Sequence, residues 1–327
     1  MSVYVTVSAL DAGHLTLPER LFVTDADPER NTTVPSLSFL IQHPSPPPGR
    51  PSATQTNIVF DLGIKRDLTG YTPAQQAHIA QRQPIITSPD CADSLRRGGL
   101  DPAHDIDLTL LSHIHWDHIG TPSDFPASTF LVGSGTLSML HHGAGPLYPA
   151  ELFNPSELPP SRTIELPPSL TSIPHTPSHT PTPLDTKAKL PPFRSTWEWT
   201  PLPGSTTLNA IDIFADASLY LIDSPGHLPG HINLVARTAE KKYVYLGGDC
   251  CHDARIWTGD KGIALYSDGK GGLRSVHVDT EAARGTLEGM RAWVEGRERE
   301  GWEVEMVLAH DAGWREGNGG RFWPGCL

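Results

Sequence analysis

Short apolar runs, bounded by turn-forming residues, set the grain of this chain. PSLSFLIQ at 35–42 and NIVFDL at 57–62 are rich in β-branched and large apolar side chains and predict a pair of strands. The proline- and serine-rich HPSPPPGRPSATQT between them predicts an exposed loop. TPAQQAHIAQR and SPDCADSLRRGGL each join a helix-start signal to good helix formers, and the second ends at glycines. DIDLTLL and STFLVG predict two further strands, with GTLSMLHHG a helix after them. NAIDIFADASLYLID reads as a β-hairpin turning at 215–217, and INLVART with KYVYLGG as a second hairpin around Glu240 and Lys241. The clearest helical period lies in TEAARGTLEGMRAWVEGRERE, where Ala283, Leu287, Met290 and Trp293 (or Val294) fall on one face with charges between. A last strand is predicted at 304–309.

One region breaks this pattern. Residues 145–205 are proline-dense, with little helical or strand periodicity. Leu147, Tyr148, Leu152 and Phe153 recur through its first part, which predicts a partly ordered insertion in an otherwise continuous domain over 1–327.

The chemistry concentrates in SHIHWDHIG. Alternation places His113, His115 and Asp117 on one side of an extended segment or tight turn, and His118 follows at once. Imidazole and carboxylate suit zinc and its divalent neighbours. A solvated polar turn is the bland alternative, and the rest of the chain weakens it. His-x-His-x-Asp-His is the signature of the metallo-β-lactamase superfamily, which this chain resembles through five motifs in order. SPGHLPGH at 224–231 resembles the second metal motif, with His227 as the ligand. YLGGDC at 245–250 resembles the strand end carrying the bridging aspartate, Asp249, and VLAHDAG at 307–313 the final histidine motif, with His310. VFDLG at 59–63 resembles the early strand and turn whose aspartate, Asp61, stands behind the metal site.

The residues themselves support this ligand set. His113, Asp249 and His310 each follow a strand-like run, and His227 follows SLYLID through a short turn. Strand ends of one sheet system converge on one edge of a scaffold. Seven such ligands exceed what one tetrahedral zinc can use, so two Zn2+ or other divalent ions are implied. By resemblance, His113, His115 and His227 hold the first, Asp117, His118 and His310 hold the second, and Asp249 bridges them. The fold implied is α/β, a four-layer αβ/βα sandwich.

The same resemblance implies a hydrolase in which a metal-bridging hydroxide attacks an activated carbonyl, with Asp117 orienting it and passing a proton to the leaving group. The commonest β-lactamases carry a cysteine where Asp249 stands and lack the histidine beside the motif's aspartate. The chain is more similar to the dinuclear branch of N-acyl homoserine lactonases, the quorum-quenching enzymes, and glyoxalase II. Lactonases place a tyrosine three residues after the bridging aspartate to hold the substrate carbonyl; here that position is His252, which can donate the same hydrogen bond. Opening of a lactone ring is the leading expectation. A thioesterase of the glyoxalase II type, or one acting on a carrier-bound acyl group, is the alternative. A non-catalytic metal-binding protein is the alternative from another class.

The resemblance implies a small lactone or acyl compound as partner, and composition weakens the other classes. The 327 residues are long enough to bury a substantial core, and the net charge of -12 disfavours a nucleic-acid backbone as partner. The start, MSVYVTVSALDAGH, lacks a basic region followed by an apolar core, and no apolar stretch approaches a bilayer span, so no membrane contact is expected. Four cysteines, two of them adjacent, predict a reduced, cytoplasmic setting.

Several other residues have plainer expectations. His231 should support the site rather than bind metal, as should Asp61. Cys250 and Cys251 should be small buried packing residues. His141 and His142 should sit solvated at a helix end, His175 and His179 exposed in the insertion, and Trp116 in packing or as one pocket wall.

Overall fold

The predicted strand pair forms, and alternation along it explains the layering. In the computed structural model, which describes residues 2–47, 53–169 and 197–327, Leu37, Phe39 and Ile41 point to one face of their strand and Leu40 to the other. The first sheet runs in the order β1 (Thr6–Pro18), β2 (Asn31–His43), β3 (Thr56–Phe60), β4 (Leu108–Leu110), β5 (Thr129–Val132) and β6 (Thr163–Glu165). Strands β3 to β6 are parallel to one another, and β1 to β3 antiparallel.

A second sheet contains β7 (Thr200–Pro201), β8 (Asn209–Asp212), β9 (Leu219–Asp223), β10 (Ile232–Ala239) and β11 (Lys242–Leu246). A small ribbon, β12 (Tyr266–Ser267) with β13 (Leu273–Arg274), stands apart, and β14 (Glu303–Val307) completes the second sheet beside β11. Both predicted hairpins are present, turning through positive φ at Ala215, Ala217 and Lys241.

The two sheets face each other across one apolar layer. Phe39, Ile58, Phe60 and Leu110 from the first meet Leu219, Leu221, Val244 and Leu246 from the second. The outer faces take helices. Leu10, Leu40, Val59 and Phe130 pack with α2 (Cys91–Arg97), which follows α1 (Pro73–Ile79), and with the later helix α4 (Thr136–His142). Tyr243 and Tyr245 pack against the long helix α6 (Thr280–Arg299), through its buried Ala283, Leu287, Met290, Trp293 and Val294. Burying a side chain such as Leu287 contributes on the order of 1.5–3 kcal/mol, and the five together anchor α6 on the sheet. The result is the four-layer αβ/βα sandwich. Among the described residues no helix is long and apolar enough to cross a membrane.

Among the elements that the sequence did not predict, two belong to the first sheet. β1 pairs with β2 along nearly its whole length, with a register shift between Asp11 and His14. Its small and polar residues, Ser8, Ala9, Ala12 and Gly13, dilute the apolar signal, although the strand is buried on both faces. β6 lies inside the proline-dense region, whose first part packs Phe153 and Leu158 into the core. Residues 170–196 of that region, with His175 and His179, lie outside the described residues.

Candidate metal centre

Both sheets send strand ends to one edge. β3 leads into Asp61, and β4 into His113. β9 and β11 both run antiparallel to β10, and β14 runs parallel to β11, so their C-terminal ends, leading to His227, Asp249 and His310, emerge on one side. The extended alternation expected for SHIHWDHIG holds only to His115. Asp117 and His118 instead occupy the one-turn helix α3 (Trp116–Ile119), which turns both side chains back toward the edge. Gly120 ends it at φ 47°, where a Cβ would lie 2.4 Å from the Leu62 carbonyl oxygen. Gly248, also at φ 47°, lets the chain before Asp249 pass beside Ser112 and the His231 ring.

All seven candidate ligands converge. His115 Nδ1 lies 3.0 Å from His113 Nε2 and 3.0 Å from His227 Nε2. The Asp249 carboxylate closes this first group, with Oδ2 3.3 Å from His227 Nε2 and 3.6 Å from His113 Nε2. Its other oxygen, Oδ1, faces the second group, 3.2 Å from both His118 Nε2 and His310 Nε2. Asp117 Oδ2 stands 3.6 Å from His310 Nε2. One carboxylate thus presents one oxygen to each of two ligand sets.

The outward nitrogens are tied down. His118 Nδ1 and Asp61 Oδ2 are 2.9 Å apart, and His310 Nδ1–H donates to the Pro35 carbonyl at 2.8 Å. Ser112 takes up His113 Nδ1 at 2.9 Å and donates its own hydroxyl to Asp61. The backbone N–H of Asp249 donates to His231 Nε2, and His231 Nδ1–H donates to the Ser224 carbonyl, so His231 holds the Asp249 backbone from behind. Asp61 adopts φ 60°, a conformation that aspartate tolerates better than most residues.

Burial holds the imidazoles of His113, His115 and His227 well below the ordinary histidine range, leaving their lone pairs available at neutral pH. At His118 burial acts the same way, but the carboxylates of Asp249 and Asp61 outweigh it and raise the group. Burial would also raise Asp249, and the surrounding His118 and His310 overcome it, keeping the carboxylate ionised. Three inward-facing atoms, His118 Nε2, His310 Nε2 and Asp249 Oδ1, are buried with no hydrogen-bond partner. Orphaned polar atoms in a dry site are costly, and divalent cations satisfy lone pairs of this type. The donor set therefore fits divalent metal ions.

Those ions would be held through Asp61 as well as through the ligands. Asp61→Ala is expected to lower metal affinity by about 10–100-fold, since it frees the His118 ring and the Ser112 hydroxyl together. Chelator competition on the purified variant checks this, and an unchanged affinity would remove Asp61 from the support of the site.

Against this geometry stand the comparisons with known proteins. An N-acyl homoserine lactone hydrolase, solved with the product N-hexanoyl-L-homoserine at its catalytic metal centre, superposes over 100% of both chains with a TM-score of 0.62 at 16% identity. The chain has the metallo-β-lactamase fold. No protein-family model matches this metallo-β-lactamase-fold chain. In sequence it is 28% identical over 328 residues to a cytochrome P450 monooxygenase of Penicillium brevicompactum, covering 94% of this chain and 33% of that protein. The chain thus spans about a third of the length of that relative. It is 30% identical over 224 residues to a gamma-lactamase of Fusarium pseudograminearum, covering 66% of this chain and 45% of that one.

The remaining expectations divide. Cys250 and Cys251 are buried, and His141 and His142 are exposed at the end of α4. Trp116 does both things expected of it, packing on Tyr71 at 6.0 Å between ring centroids and lining the cavity over the candidate ligands. His252 is nearly buried, with Nε2 3.1 Å from Asp249 Oδ2 and its ring 4.7 Å from that of Phe22. Sequence reasoning missed His277, whose Nδ1 lies 3.2 Å from His227 Nδ1 and fixes that ring, because no motif surrounds it. Tyr148, from the proline-dense region, stands 4.6 Å from the His115 ring. Arg82 was missed too. Its four-residue spacing from His78 in the predicted first helix was the available signal.

Proposed function

We propose that the protein is a dinuclear metal-dependent hydrolase that opens a lactone ring, with the whole chain forming one hydrolase domain. The observation that carries this reading is the Asp249 carboxylate, which turns one oxygen to each of two histidine-rich groups. When bound, a pair of divalent cations supplies Lewis acidity and a water acidic enough to act as nucleophile near neutral pH. His113, His115 and His227 would hold one ion, Asp117, His118 and His310 the other, with Asp249 shared.

The chain's own residues supply the rest. His252 lines the cavity with Nε2 3.1 Å from Asp249 Oδ2, and with that carboxylate given over to a cation its Nε2–H would donate to the substrate carbonyl oxygen as negative charge develops there. Asp117 is placed to take a proton on its carboxylate and return it to the leaving oxygen. Leu15, Phe22, Trp116 and Tyr148 exclude water from the acyl body. An N-acyl homoserine lactone is one substrate of this class, and quorum quenching the corresponding role. The four free cysteines, three of them buried, support a cytoplasmic setting.

A second reading has its own support. The relative named a gamma-lactamase makes a cyclic amide the competing substrate, attacked by the same groups. Thioesters remain the third class. Hydrolysis of a panel containing a γ-lactone, a γ-lactam, a thioester and a β-lactam by metal-loaded protein separates them. The lactone should be turned over with the highest kcat/KM. Preference for the lactam would replace the leading reading by the second, and inert behaviour toward all four would favour a non-catalytic metal-binding role.

A further inference from the structure

Three arginines line the cavity over the candidate ligands and the groove that adjoins it at His252, and two are already neutralised. Arg30 Nε lies 2.8 Å from Glu19 Oε1, while Arg255 Nη2 reaches Glu19 Oε2 at 2.8 Å and Asp253 Oδ2 at 2.7 Å. Arg82 differs. It is half-buried and lines the same cavity as His115, Trp116 and Asp117, and among the described residues no carboxylate pairs with it.

The local sequence explains how it gets there. α1 starts on a Thr72–Gln75 capping box and continues past Ile79 through the 3-10 turn Ala80–Arg82. His78 and Arg82, four residues apart, therefore project from one face, and both line the cavity. Burial pulls the Arg82 guanidinium below the ordinary arginine range, with the distant charge of Asp117 acting the other way. A partly desolvated cation without a counter-anion is unfavourable, and a planar guanidinium matches a carboxylate in two parallel hydrogen bonds. Apart from Gln75 and the candidate ligands, the remaining walls, including Leu15, Phe22 and Leu152, are mostly apolar.

We propose that Arg82 anchors a carboxylate carried by the substrate, so that the cavity selects acyl compounds with an apolar body and an acid group separate from the carbonyl that is cleaved. This deepens the hydrolase reading and rests on it for calling the ligand a substrate, but the anion binding itself is measurable without turnover.

The test is calorimetric titration of metal-loaded wild type, Arg82→Ala and Arg82→Lys with benzoate, benzamide and inorganic phosphate, with zinc content measured in parallel. Benzoate should bind wild type better than phosphate does, lose at least about tenfold in affinity in Arg82→Ala, and recover part of it in Arg82→Lys, while benzamide binding stays unchanged. Equal benzoate affinity in wild type and Arg82→Ala would overturn the proposal. So would undetectable benzoate binding to wild type, or tighter binding of phosphate than of benzoate. Arg82-dependent benzoate binding in a protein that hydrolyses none of the panel would sink the hydrolase reading and leave the anion site standing.

Discussion

Asp249→Ala is expected to strip both metal ions and abolish turnover. The carboxylate supplies one oxygen to each ligand group, 3.3 Å from His227 Nε2 on one side and 3.2 Å from His118 and His310 Nε2 on the other. No neighbouring side chain can span both. Its loss also leaves buried histidines facing one another without an anion between them, which burial makes costly. The rate loss should exceed the roughly thousandfold produced by deleting one transition-state donor, because nucleophile and electrophile are lost together. His231→Ala is the control. That ring accepts the Asp249 N–H from behind and offers no atom to either group, so most metal should remain at saturating concentrations. Elemental analysis beside steady-state kinetics reads both variants. Full occupancy in Asp249→Ala would show that the bridge has been assigned to the wrong residue.

His252→Ala is expected to leave the metals in place and lower turnover about a hundredfold, roughly 3 kcal/mol, the usual cost of one hydrogen bond made in the transition state. The imidazole lies at the junction of the two cavities, held against Phe22, with Nε2 turned toward the centre. His252→Tyr should restore part of the loss if the role is donation, and little if the ring transfers a proton near neutral pH. The competing role is that of an additional ligand, since Asp249, His252 and His310 also converge. In that case His252→Ala loses metal in step with activity. Unchanged turnover in fully metallated protein would remove His252 from the mechanism.

Much of this site was legible because its ligands sit in local motifs at strand ends, where one apolar run and one turn decide a position. His113, His227, Asp249 and His310 are each of this kind. The supporting contacts are of another kind. His277 reaches His227 across 50 residues of chain, and Pro35 offers its carbonyl to His310 from 275 residues away. No periodicity encodes such meetings. The fold divides in the same way: α6 shows its buried face as a helical period, whereas β1 owes its burial to layers on both sides and spends small and polar residues to fit between them. At Asp117 the sequence left two forms open, an extended segment or a tight turn, and the structure takes the turn. Alternation would have kept it on an extended segment, but His115 begins a helical turn that Gly120 ends, and the turn does the aiming.

The central claim is that the convergent groups hold two ions. Elemental analysis of purified protein, reconstituted with zinc and dialysed free of excess, tests it most directly. Two equivalents per chain are expected, with activity rising to its full value only as the second is taken up. A single equivalent that reconstitution cannot raise would contradict the dinuclear centre and the shared role of Asp249 with it.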